Sequence, residues 1–91
     1  MFSKGQRKGT IRFQIKTPNN AKKVSLAGDF NNWTPTPMRR QKDGSFAVTV
    51  KLGAGTHEYK FIVDNDWVVD PDNGAWALNP FGTVNSVAMI E

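Results

Sequence analysis

Ninety-one residues without a cysteine suffice for one small core, and they exclude disulfides, thiol chemistry and cysteine-held metal. No apolar run approaches the ~18–20 residues of a membrane-spanning helix, and no charged start leads into an apolar stretch that would signal secretion. The net charge of +4 is uneven: Lys4, Arg7 and Lys8 fall in the first nine residues, which hold no acid, leaving nine Lys/Arg against eight Asp/Glu over residues 10–91. The sequence thus predicts a flexible basic tail, 1–9, ahead of a near-neutral domain, 10–91. A nucleic-acid binder spreads its charge over a folded face, so neither nucleic acid nor a membrane is expected as a partner. The lack of cysteine fits a reducing, cytoplasmic setting.

In chain order, Thr10–Lys16 alternates Ile11, Phe13 and Ile15 with Arg12, Gln14 and Lys16, the period of a half-buried strand ended by Pro18-Asn19-Asn20. Lys22–Ala27 forms a second short strand with Val24 and Leu26 inward. Residues 28–45 read as a long connection with Pro35, Pro37 and a turn at Lys42-Asp43-Gly44-Ser45. Phe46–Leu52 alternates again, with Phe46, Val48, Val50 and Leu52 on one face. After the turn Gly53-Ala54-Gly55, Thr56–Val63 and Trp67–Val69 make a hairpin around Asp64-Asn65-Asp66, with Tyr59, Phe61 and Val63 on one face. Asp70–Gly82 reads as loop and Val84–Ile90 as the last strand. About seven short strands without helices predict an all-β, immunoglobulin-like antiparallel β-sandwich.

Trp33 closes the segment Gly28-Asp29-Phe30-Asn31-Asn32-Trp33, and Trp67 follows the hairpin turn. Two indoles at strand–loop junctions, flanked by amides, suit a sugar ring, whose C–H face packs on the π-system while its hydroxyls meet polar groups at the rim. Either Trp could equally be a packing residue. Lys60 alternates with Tyr59 and Phe61 and so faces away from them, as a solvated strand lysine or a ligand donor. Asn85, near the start of the last strand, is either a hydroxyl partner or an amide that bonds the backbone. Trp76, inside the 70–82 loop, is expected to pack locally or to make an accessory contact.

Asp64, Asp66, Asp70 and Asp72 lack the spacing of a calcium loop and fit turn formation. Glycoside hydrolysis needs two carboxylates facing across a cleft, and turn-bound acids in so small a sandwich suggest none. His57 is the sole histidine and has no nucleophile motif beside it. No catalytic residue, metal site or cofactor is expected.

The runs Val24-Ser25-Leu26-Ala27-Gly28-Asp29-Phe30-Asn31-Asn32-Trp33, Gly55–Asp64, Asp70-Pro71 and Asn79-Pro80-Phe81-Gly82-Thr83-Val84-Asn85-Ser86, with Trp67, resemble carbohydrate-binding module family 48 across roughly residues 10–90. That family includes the glycogen-binding domain of the AMP-activated protein kinase β subunit and the early-set domains of isoamylases and branching enzymes. The resemblance implies noncatalytic binding of α-1,4-glucan (glycogen, starch, maltooligosaccharide or cyclodextrin). It implies stacking on Trp33 and Trp67, hydrogen bonds from Lys60 and Asn85, and help from Thr83 and Phe81. Phe81 stands where the kinase subunit carries Leu. Asn31 and Asn32 are expected to shape the loop that presents Trp33. The chain reads as a free-standing module from Met1, with a glucan-metabolising or signalling protein as a second partner. The alternatives are a protein-interaction or regulatory early-set module with a vestigial sugar site, or a piece of a glucan-active enzyme.

Overall fold

The computed structural model describes residues 1–17 and 21–91; Pro18-Asn19-Asn20, expected to end the first long strand, lie outside the described residues. The described strands are β1 (Phe2–Lys4), β2 (Thr10–Ile15), β3 (Val24–Gly28), β4 (Thr36–Pro37), β5 (Arg39–Arg40), β6 (Phe46–Lys51), β7 (Gly55–Val63), β8 (Asp66–Val68), β9 (Trp76–Leu78) and β10 (Val84–Ile90). One sheet runs β1-β2-β6-β5 and the other β4-β3-β7-β10-β9, with β8 also paired to β7. Every pairing is antiparallel. The architecture is the expected immunoglobulin-like sandwich.

Alternation decides what lies between the sheets. Ile11, Phe13 and Ile15 of β2 are buried against Leu26 of β3 and Tyr59 and Phe61 of β7. Phe13 is the hub: its ring meets Tyr59 edge-on at 4.8 Å and stacks with Phe30 at 5.7 Å. Such aromatic pairs add about 0.5–1.5 kcal/mol each beyond the area they bury.

Four short strands lie where the sequence suggested tail or loop. Residues 1–9, expected as a flexible tail, form a hairpin with β2: Phe2 pairs with Phe13 and Ser3 with Arg12. The cause is Phe2, whose ring packs 6.3 Å from Phe13 and 6.4 Å from Tyr59. In the 28–45 connection, β4 pairs with β3 and β5 with β6, around the buried Met38, whose N–H donates to the Val24 carbonyl. In the 70–82 segment, β9 pairs with β10. Ala47, which alternation turns outward, is buried as well, between Gln14 and Arg39 in its cross-strand row.

A buried polar cluster ties β7 and β10 to the loop after β8. Tyr59 donates from its hydroxyl to Asp70 at 2.6 Å, and Asn73 donates to that hydroxyl at 3.0 Å. The Asp70 N–H donates to Ser86 Oγ at 2.7 Å, and the Asp70 carboxylate also receives the N-terminal ammonium. Burial, reinforced by the Asp70 carboxylate, raises the Tyr59 phenol above its ordinary range. Asp70, read from sequence as a turn former, is thus a hub of the interior.

Candidate functional site

With Tyr59 and Phe61 committed to the core, Glu58, Lys60 and Ile62 project from the outer face of β7. On one edge, β7 pairs with β3. Its other edge is shared: β10 occupies it from Gly55 to Tyr59, and β8 from Phe61 to Val63. The two partners diverge at Lys60. The fork sets Trp67, directly across from Ile62, on one side of Lys60 and the start of β10, with Asn85, on the other.

The β7–β8 connection is a two-residue turn with Asp64 and Asn65 both left-handed (φ 48° and 77°), the type I′ geometry that matches strand twist. The Asp64 carboxylate accepts the N–H groups of Lys22 and Lys23 at 3.0 and 2.9 Å, which pins the hairpin beside β3. Asp64 is therefore structural, as its turn position implied.

Trp33 arrives by a different device. After β3 the chain makes one 3-10 turn, Asp29–Asn31, then passes through two left-handed residues, Asn32 (φ 56°) and Trp33 (φ 58°). Asn31 holds the turn, accepting from the Gly28 N–H at 2.9 Å and donating to Thr36 Oγ1 at 3.0 Å. Asp29 accepts the Glu58 N–H at 2.9 Å and so anchors the turn to β7. Gly28 is required by crowding: a Cβ there would lie 2.4 Å from the Phe30 ring and 2.7 Å from the Glu58 carbonyl. A bulky residue at positive φ is strained by about 1–3 kcal/mol, a feature that clusters at ligand clamps.

Phe81 sits at the tip of the β9–β10 connection. Pro80, Phe81 and Gly82 form a three-residue loop between Asn79 and Thr83, with Gly82 at φ 82°. Asn79 Oδ1 accepts the N–H groups of Phe81 and Thr83 at 3.0 and 3.2 Å. This tight turn holds Phe81 90% exposed, an apolar ring aimed at solvent.

Trp33, Lys60, Trp67, Asn79, Pro80, Phe81, Thr83 and Asn85 line a single open concavity of about 340 Å³. All six residues singled out from the sequence are among them. Trp67 is 49% exposed, Trp33 half-buried and Asn85 nearly covered. Trp76 is on β9, paired opposite Ser86, and outside this lining. It is 62% exposed, so the expected local packing is not found.

Beneath the aromatic rim runs a polar chain. Lys60 Nζ and Asn79 Nδ2 both donate to Thr83 Oγ1, at 3.2 and 2.7 Å. Asn79 Nδ2 also donates to Asn85 Oδ1 at 3.0 Å, and Asn85 Nδ2 to Glu58 Oε1 at 3.0 Å. Both acceptor positions of the Thr83 hydroxyl are taken, so its O–H is left to donate outward, with two protons of Lys60 and one of Asn85. The concavity therefore offers flat π-faces and hydrogen-bond donors. Among the described residues there is no group of three metal-ligating side chains. Sequence reasoning missed the roles of Asn79 and Glu58. The Asn-Pro-x-Gly turn signal was visible, but not the bonds its amide makes across to β10.

A β-sandwich that gathers two indoles, a lysine and amides around one open concavity defines a class of small carbohydrate-binding modules. Residues 11–91 match the family described as the glycogen recognition site of AMP-activated protein kinase, and the chain belongs to that family. Over 70 residues it is 37% identical to 5'-AMP-activated protein kinase subunit beta-1 of Sus scrofa, covering 77% of this chain and 56% of that protein. It is 46% identical over 58 residues to Protein PTST homolog 2, chloroplastic, of Arabidopsis thaliana, covering 63% of this chain and 11% of that one. It also resembles the crystal structure of maltogenic amylase from S. marinus (TM-score 0.79, 27% identity), covering 90% of this chain and 13% of the amylase. The chain spans about half the length of the pig relative and a quarter of the human one.

Proposed function

We propose that the chain is a noncatalytic module that binds α-1,4-glucan (glycogen, starch, maltooligosaccharide or cyclodextrin) in the concavity between Trp33 and Trp67. The observation that carries this reading is the convergence of both indoles with Lys60, Thr83, Asn85 and Phe81 on one open surface. Trp33 and Trp67 stack against successive glucose rings, and the curvature of an α-1,4-linked chain lets one strand meet both. Lys60, Asn85 and Thr83 direct their spare protons to hydroxyl oxygens. Phe81, on its rigid turn, packs against the inner surface of the curved chain or inside a cyclodextrin ring. Its ring is larger than the Leu of kinase-type members and extends that contact. Partners in a glucan-metabolising or signalling assembly fit the names of the relatives, and we place the protein in the cytoplasm on the same footing.

An open site with few direct hydrogen bonds predicts a dissociation constant on the order of micromolar to millimolar. Titration with β-cyclodextrin, followed by Trp fluorescence and calorimetry, is the test. Trp33→Ala and Trp67→Ala are expected to abolish binding while leaving the far-UV spectrum of the sandwich unchanged. Wild-type affinity in either variant would remove the stacking platform, and equal affinity for a β-linked glucose polymer would remove the α-glucan assignment.

A further inference from the structure

The sheet opposite the concavity carries a second surface. Because Ile11, Phe13 and Ile15 face the core, Thr10, Arg12 and Gln14 face outward. Cross-strand pairing sets Ser3, Arg12 and Thr49 in one outward row and Gln14, Ala47 and Arg39 in the next. Lys4 and Arg7 join them, because the β1 hairpin folds what composition marked as a basic tail against this sheet. The resulting groove of about 690 Å³ is lined by four cations, Lys4, Arg7, Arg12 and Arg39, and by no acid. Among the described residues, the ion pairs within 4.0 Å involve only the N-terminal ammonium and His57, so none of these four cations is neutralised. Arg40 differs: its guanidinium donates to the Ala21 carbonyl at 2.5 Å and lies over the Phe46 ring.

We propose that this groove is a docking surface for an acidic segment of a partner polypeptide, engaged while the concavity on the other sheet stays open. Four like charges sharing one concave surface focus a positive potential, which a complementary acidic chain relieves. Four strands span ~15 Å at ~4.8 Å spacing, the length of four or five extended residues. Ser3, Thr10, Gln41 and Thr49 along the groove offer hydrogen bonds to such a backbone. No aromatic side chain lines the groove, so nucleic-acid bases would find nothing to stack on. Of the exposed large apolar side chains, Trp67, Val69, Trp76, Leu78, Phe81 and Met89 belong to the other sheet or its loops, and Met1, ahead of β1, is a single apolar residue beside these cations, too little to anchor a membrane.

The test uses the 91-residue chain and a fluorescein-labelled octapeptide of alternating Asp and Glu at low ionic strength. Saturable binding that weakens with added salt is expected, with amide NMR shifts confined to residues 3–12, 39–41 and 47–49. Arg12→Glu with Arg39→Glu should weaken it by about tenfold or more, whereas Lys22→Glu with Lys23→Glu, an equal change in net charge, should leave it within about twofold. Both double variants should bind β-cyclodextrin like wild type, which also reports an intact fold. The proposal is overturned if the two double variants weaken the peptide equally. It is also overturned if the shifts map elsewhere, or if an oligonucleotide or anionic phosphatidylserine vesicles of matched charge bind more tightly than the peptide through Arg12 and Arg39.

Discussion

Trp33 combines two properties that oppose each other. Its backbone sits at φ 58°, directly after Asn32 at 56°, where only Gly and Asn are comfortable. The Trp33 N–H nevertheless bonds back to the Gly28 carbonyl at 2.9 Å, and Asn31 braces the turn from within. The surrounding bonds thus hold the indole in a conformation it would not choose. This separates stability from binding at one position. Trp33→Gly should be more stable than Trp33→Ala by about 1 kcal/mol, since Ala keeps the strain and Gly releases it. Urea denaturation of the two variants reads the difference, and the reverse order would mean that the left-handed backbone is unstrained. Neither variant should bind β-cyclodextrin. From sequence, Trp33 was legible as an indole beside a strand, but its backbone conformation was not, because nothing local to Asn32-Trp33 demands it.

At the scale of elements, strands with a clear period of two were legible. Val84–Ile90 spans the residues alternation assigns to it, and the expected strand at Thr56–Val63 is extended by a single residue, Gly55. The elements missed are two or three residues long: β1, β4, β5 and β9 show no period and exist because a long partner offers them a register. The β9–β10 turn was legible as a turn, but not as the brace of the concavity. Asn79 does two jobs there, since Oδ1 closes the turn while Nδ2 reaches Thr83 and Asn85. Asn79→Asp keeps the first and loses the second. We expect Asn79→Ala to lower stability by about 1 kcal/mol, or ~4–8 °C in Tm. Asn79→Asp should recover most of that stability without recovering β-cyclodextrin affinity, which drops by about tenfold in both. Full affinity in Asn79→Asp would show that the turn alone matters.

For the molecule as a whole, the Tyr59–Asp70–Asn73–Ser86 cluster links β7, β10 and the β8–β9 loop. Its existence was illegible, because Asp70-Pro71 reads as a turn until its long-range partners are known. Burial and the adjacent carboxylate favour the neutral phenol, so the folded pKa lies above the unfolded value. The stability this contributes is complete below about pH 10, where the unfolded phenol titrates, and is lost as pH rises toward the folded value. Each pH unit in that window should remove about 1.4 kcal/mol. Tyr59 is the only tyrosine, so tyrosinate absorbance on unfolding reports it directly. Urea midpoints between pH 9 and 11 should fall more steeply for wild type than for Tyr59→Phe, and parallel slopes would rule out the phenol as the cause.

The fork at Lys60 has a consequence for selectivity. An unbroken sheet face is a continuous twisted surface, whereas two strands that part company leave a notch whose width depends on the segment leading into β10. That segment, 79–83, lies outside the registers that hold Phe13, Leu26, Tyr59 and Phe61 together. Under the proposed α-glucan reading, the notch is a caliper for the pitch of a coiled polysaccharide. Length changes in that one loop should reset the caliper from tight rings to open helices while the sandwich beneath stays as it is.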